Sequence, residues 1–150
     1  MRTHERTLTK SRRFLESSTK KEAAECVCGV LLQDKSVLVE KRRSDDEADP
    51  GLVMIPGGHV ETGESFEEAL RREMKEELGI LVSKITPVNT RYYTASNGER
   101  QKIHYFHVTS WSGRVQSKEA EQVYWESNWN NLSDETERKV VVKLLNQHTS

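Results

Sequence analysis

Glu73, Glu76 and Glu77, with Arg72 beside them, are the side chains in this sequence whose types and spacing point first to chemistry. They lie in "RREMKEELG", residues 71–79. Wound as a helix at about 100° per residue from Phe66, Leu70, Met74 and Leu78 fall near about 40°, 80° and 120°, an apolar stripe. Glu73 then falls near about 340° and Glu77 near about 20°, inside that stripe, with Glu76 at its edge near about 280°. Carboxylates spaced three and four apart repel one another, and each resists removal from water. A hard divalent cation, Mg²⁺ or Mn²⁺, relieves both costs because it prefers carboxylate oxygens. A solvated, Glu-rich helix is the plain alternative. The placement of Glu73 and Glu77 among the apolar residues argues against it.

The elements that must position these acids are legible nearby. Ser65 with Glu68 three residues later has the capping-box pattern, and Gly79 supplies a left-handed stop. The residues between are strong helix formers, so the spacing predicts a helix of about four turns. Upstream stands "PGGHVETGE", and residues 58–80 together read "GHVETGESFEEALRREMKEELGI". Gly58, Glu64, Arg72-Glu73, Glu76-Glu77 and Gly79, with apolar Met74 and Ile80, resemble the box of the Nudix family at every defining position. The resemblance implies a loop–helix–loop site. In it Glu73, Glu76 and Glu77, and a backbone carbonyl at Gly57, hold Mg²⁺ or Mn²⁺ on a diphosphate. Gly57 and Gly58 let the backbone come close. Arg72 would orient a neighbouring Glu through a bidentate salt bridge, and Glu64 would hold the loop against the helix.

The resemblance extends to "KEAEQVYW", where a late Glu approaches the metal. Glu121, four residues before Trp125, is the candidate, with Glu119 beside it; an exposed loop acid is an equal reading. Which Glu serves as general base stays open among Glu76, Glu77 and Glu121, with Glu76 preferred. Arg42 and Arg43 close a strand before an acidic loop and are candidate phosphate contacts, although a solvated strand end explains them as well. His59, His104 and His107 read as loop and sheet residues. Tyr92, Tyr93, Trp111, Trp125 and Trp129 could stack a base, but packing explains most of them.

Residues 25–33 and 36–42 predict a hairpin across Asp34-Lys35, and 44–51 a polar loop. Residues 52–56 predict a short strand feeding the box. Strands at 80–89, 90–95, 100–111 and 122–127 follow, with Asn97-Gly98 a hairpin turn. A closing helix spans 133–148, with Ser133 as its cap and Val140, Val141, Leu144 and Leu145 as its apolar stripe. Mixed strands between helices give an α/β class, the α/β/α sandwich that the resemblance also implies. Residues 1–21 read as a polar arm and 22–150 as one domain.

The chain has 150 residues, 23 basic against 24 acidic, and a net charge of −1, so no global basic field offers itself to nucleic acid. No apolar run is long enough to span a membrane, and the start lacks the apolar core of a signal peptide. Cys26 and Cys28 sit two apart on one strand face and cannot readily bridge, which suits free thiols in a reducing cytoplasm. The expected partner is a small nucleotide, for a monomer or homodimer. The resemblance implies hydrolysis of a nucleoside diphosphate linked to a further group. The coenzyme A and NADH subfamilies carry flanking motifs absent here. The ADP-ribose type has a proline where this chain has Ser96, and the dinucleoside polyphosphate type a tyrosine for which Tyr92 and Tyr93 come early. What remains is a MutT-like reaction, a (deoxy)nucleoside triphosphate giving monophosphate and pyrophosphate. A nucleotide-sensing domain without turnover is the contrasting class.

Overall fold

The computed structural model describes residues 23–149. The expectation for an arm at residues 1–21 lies outside the described residues. In chain order the elements are β1 (Ala24–Val30), β2 (Leu32–Gln33), β3 (Ser36–Lys41), β4 (Val53–Met54), β5 (Gly57–His59), α1 (Phe66–Leu78), β6 (Leu81–Thr94), β7 (Arg100–Ser112), β8 (Gln122–Glu126), a 3₁₀ turn (Trp129–Asn131) and α2 (Glu135–Thr149).

Two sheets follow. The first has the order β5-β1-β7-β6, in which β1 runs parallel to β7 and the other pairs are antiparallel. The second is built on β3, with β2 and β4 paired along one edge and β8 along the other. Side chains alternate across each strand. On β1, Val27 therefore joins Leu38, Leu70, Met74, Leu78 and Val108 under α1. Cys26, Cys28 and Val30 join Val37, Tyr105, Val141 and Leu144 under α2. The result is the expected sandwich, with one apolar core on each face of the strands. The Cys26 and Cys28 thiols are buried and unbridged.

The box helix has the predicted ends. Ser65 Oγ accepts from the Glu68 amide at 3.1 Å and Glu68 Oε1 from the Ser65 amide at 3.0 Å, while Gly79 takes φ 71°. Elsewhere boundaries move. The expected strand 25–33 breaks at Leu31, and the segment 52–56 keeps only two strand residues. Segments 80–89 and 90–95 fuse into the single edge strand β6, whose register shifts around Lys84 and Pro87. Proline lacks an amide donor, and an edge position accommodates it. Ser133 is not the cap of α2. Its hydroxyl accepts from the Val53 amide at 2.9 Å, and Asp134 Oδ2 instead accepts from the Glu137 amide at 2.9 Å.

Candidate functional site

A cleft of about 390 Å³ opens beside the box. Its walls come from separate elements: Gly57 and Gly58 of β5, Glu73 and Glu77 of α1, Glu40 of β3, Arg42 beyond it, Glu119 from the β7–β8 loop and Glu137 of α2. The helical winding places Glu73 and Glu77 as the sequence requires, with 8% and 9% of their surface exposed. Glu76 stands outside, its side chain half exposed.

Arg72 organises the acids. Its Nε donates to Glu64 Oε2 at 2.7 Å and its Nη2 to Glu64 Oε1 at 2.9 Å, the bidentate fork that lysine cannot form. Nη1 donates to Glu73 Oε1 at 2.9 Å and to Glu76 Oε2 at 3.1 Å, and Nη2 also reaches the His59 carbonyl at 2.9 Å. One guanidinium thus locks loop and helix together. Its hydrogen bonds hold the Glu64 carboxyl down at about 2. Gly58 is required by close approach, because a Cβ there would fall onto the Glu73 carboxylate.

Behind Arg72 the charge balance reverses. Burial pushes the Glu77 carboxyl far above its ordinary range, reinforced by Glu40, Glu73 and Glu119. Burial likewise raises Glu40, with Arg42 opposing, and raises Glu73 against its bond to Arg72. Glu77 Oε2 is buried and has no hydrogen-bond partner. A buried oxygen without a donor is costly and calls for one. As the side chains stand, no three acidic, histidine or cysteine groups among the described residues encircle an ion, and Glu73 and Glu76 are turned onto Arg72. The donor chemistry nonetheless fits a hard divalent cation: clustered carboxylate oxygens, one of them orphaned, and a backbone brought close by glycines.

The other expected residues divide. Arg42 lines the cleft, where its Nε donates to the Ala48 carbonyl at 2.9 Å. Arg43 does not; it is exposed and pairs with Asp45 at 3.0 Å. Glu121 is also directed elsewhere, onto Lys41 Nζ at 3.4 Å. Glu119 faces the cleft in its place, because the Lys118 amide is pinned to the Glu77 carbonyl at 3.1 Å and delivers the next residue to the helix end. None of the five candidate stacking aromatics lines the cleft.

Two further acids escaped sequence reasoning. Glu137 is fully buried on α2, where Oε1 accepts from the Ile55 amide at 3.0 Å and Oε2 from the Tyr105 hydroxyl at 2.8 Å. Burial pushes its carboxyl up to about 7 against those two bonds. Glu40 is 5% exposed. A signal for Glu40 existed: alternation along "SVLVEK" puts it on the Leu38 face of β3, an inward row.

Comparison with known proteins adds the lineage. A NUDIX domain model matches residues 23–144. Nucleoside triphosphatase NudI of Escherichia coli is 38% identical over 89 residues, which is 55% of this chain and 63% of that protein. The chain therefore matches less than two thirds of that curated relative's length. Among solved structures, the E. coli ORF135 protein is 28% identical with a TM-score of 0.68, covering 81% of this chain and 90% of that one. A MutT NUDIX hydrolase from Burkholderia pseudomallei shares the fold with a TM-score of 0.70 at 24% identity, covering 81% of this chain and 98% of that one.

Proposed function

The chain belongs to the Nudix family, and from that premise we propose that it hydrolyses a nucleoside triphosphate to the monophosphate and pyrophosphate with the help of Mg²⁺ or Mn²⁺. The observation that carries this reading is the orphaned, buried Glu77 Oε2 among carboxylates that burial has already driven from their ordinary range. Glu73, Glu76 and Glu77, with the backbone at Gly57, would hold the cation. A cation bound there supplies neutralisation of the phosphate oxygens and a lowered pKa for a bound water.

The chain's own residues do the rest. Arg72 fixes the loop against the helix and sets the orientation of Glu73 and Glu76. Arg42 places a guanidinium at the cleft wall, where it can meet a phosphate oxygen. A carboxylate takes the proton from the attacking water; Glu76, which stands outside the cleft lining with its side chain half exposed, is the preferred base, and Glu119 joins Glu77 as a candidate because both face the cleft. The relative named as a nucleoside triphosphatase supports a triphosphate substrate. Cytoplasmic residence, expected from the unbridged thiols, belongs to the same proposal. Among the described residues no helix is long and apolar enough to cross a membrane.

The test is a panel of nucleoside triphosphates, diadenosine polyphosphates, ADP-ribose and nucleotide sugars at equal concentration with Mg²⁺, products resolved by chromatography. Monophosphate and pyrophosphate from a triphosphate, abolished by chelator, are expected. Turnover undiminished in excess EDTA refutes the metal role. A tenfold higher kcat/KM for ADP-ribose or a dinucleotide refutes the substrate class. Binding without turnover of any compound returns the sensing role.

A further inference from the structure

The box accounts for the acids of α1 but not for Glu40. This side chain reaches the cleft from β3, the strand paired on both edges at that point, with Met54 on one side and Val123 on the other. Both neighbouring strands fix its backbone, so its direction is set by the sheet rather than by a loop. Its row-mate Leu38 is fully buried under α1, and alternation sends Glu40 the same way, toward the helix face that carries Glu73 and Glu77. An apolar side chain would ordinarily continue that row. A carboxylate stands there instead, 93% of its side chain out of solvent.

The counter-charge to Glu40 is loose and shared. The Arg42 guanidinium is 4.0 Å from Glu40 Oε1 and is engaged elsewhere, donating to the Ala48 carbonyl at 2.9 Å and lying 3.6 Å from Asp46. Across the cleft, Glu77 Oε2 is buried with no donor at all. Two carboxylates from different elements thus face one cavity, one of them with an unanswered oxygen. Buried like charges of this kind persist when a cation binds between them.

We propose that Glu40 is a further divalent-cation ligand, which reaches from β3 to a cation that Glu77 holds from α1. This rests on the metal-dependent reading above and extends it, because β3 lies outside the box and its acid is supplied by the sheet. It ties the cation to both sheets: α1 packs against β1, β5 and β6 of the first, and Glu40 stands on β3 of the second.

The experiment measures Mn²⁺ binding by the electron paramagnetic resonance of free Mn²⁺, and the Mg²⁺-induced rise in melting temperature, for the wild type, Glu40→Gln and Glu40→Asp. Glu40→Gln should weaken Mn²⁺ binding by at least about tenfold and shrink the Mg²⁺-induced rise, while the metal-free melting temperature stays level or climbs. Glu40→Asp keeps the charge but withdraws the oxygens by one methylene, and should also weaken binding. Affinity within twofold of the wild type in Glu40→Gln overturns the proposal. Full affinity in Glu40→Asp overturns ligation in favour of a distant charge effect. A fall in the metal-free melting temperature with an unchanged Mg²⁺ response also overturns it, since that pattern marks a purely structural residue. If the wild type itself binds no Mn²⁺, the metal-dependent reading fails together with this one.

Discussion

Replacing Glu137 by Gln should remove a pH dependence of stability that the wild type carries. The folded carboxyl titrates at about 7, against an ordinary value of 4.5, because it is fully buried. Between those values the folded state keeps a proton that the unfolded state has released. Stability must therefore fall as pH rises from 4.5 toward 7 and level off above, the reverse of a salt-bridged acid. The difference of roughly 2.5 units at about 1.4 kcal/mol per unit amounts to about 3.5 kcal/mol over the whole window. Gln avoids this titration and keeps the geometry: its oxygen can accept from the Ile55 amide, and its amide can donate to Tyr105, whose hydroxyl rotates. Urea unfolding in EDTA at pH 5, 7 and 9 reads the effect. The advantage of Glu137→Gln over the wild type should grow by about 2.5 kcal/mol from pH 5 to pH 9, the remainder lying below pH 5. Parallel pH profiles would refute the assignment of a buried, titrating Glu137.

Glu76→Gln and Glu77→Gln should each lower kcat by about a hundredfold or more with the fold intact by circular dichroism, whereas Glu68→Gln, which can still serve the capping box, should leave kcat near the wild-type value. Steady-state kinetics should also separate the late-loop acids: Glu119→Gln lowers kcat, and Glu121→Gln, which removes only the exposed pair with Lys41, does not. Gly58→Ala should displace the Glu73 side chain, so kcat should fall by about a hundredfold while the melting temperature changes little; an unchanged kcat would show that the close approach is dispensable.

The box helix was legible in the sequence because everything that makes it is local. Ser65, Glu68 and Gly79 satisfy its own ends, and the 3.6-residue period alone puts Glu73 and Glu77 among the apolar residues. The fork of Arg72 was expected from the family resemblance, onto a neighbouring Glu; that Glu64, eight residues away in the loop, is the partner emerged from the fold. The two-faced sandwich was likewise readable, since alternating strands and two amphipathic helices have few other ways to bury their apolar faces. What the tertiary structure alone decided are the meetings between distant segments. Glu40, Glu77 and Glu137 share one cleft because strand order and pairing bring β3, α1 and α2 together, and no local period encodes that order. The choice of Glu119 over Glu121 has the same origin: the loop carries both, and the bond from the Lys118 amide to the Glu77 carbonyl selects which one turns inward. Ser133 lost its place as the helix cap to Asp134 because the Val53 amide, 80 residues away, claimed its hydroxyl. A hydrogen-bonding group goes to whichever partner the folded chain brings within reach, and for these residues the partners lie too far along the sequence for spacing to reveal them.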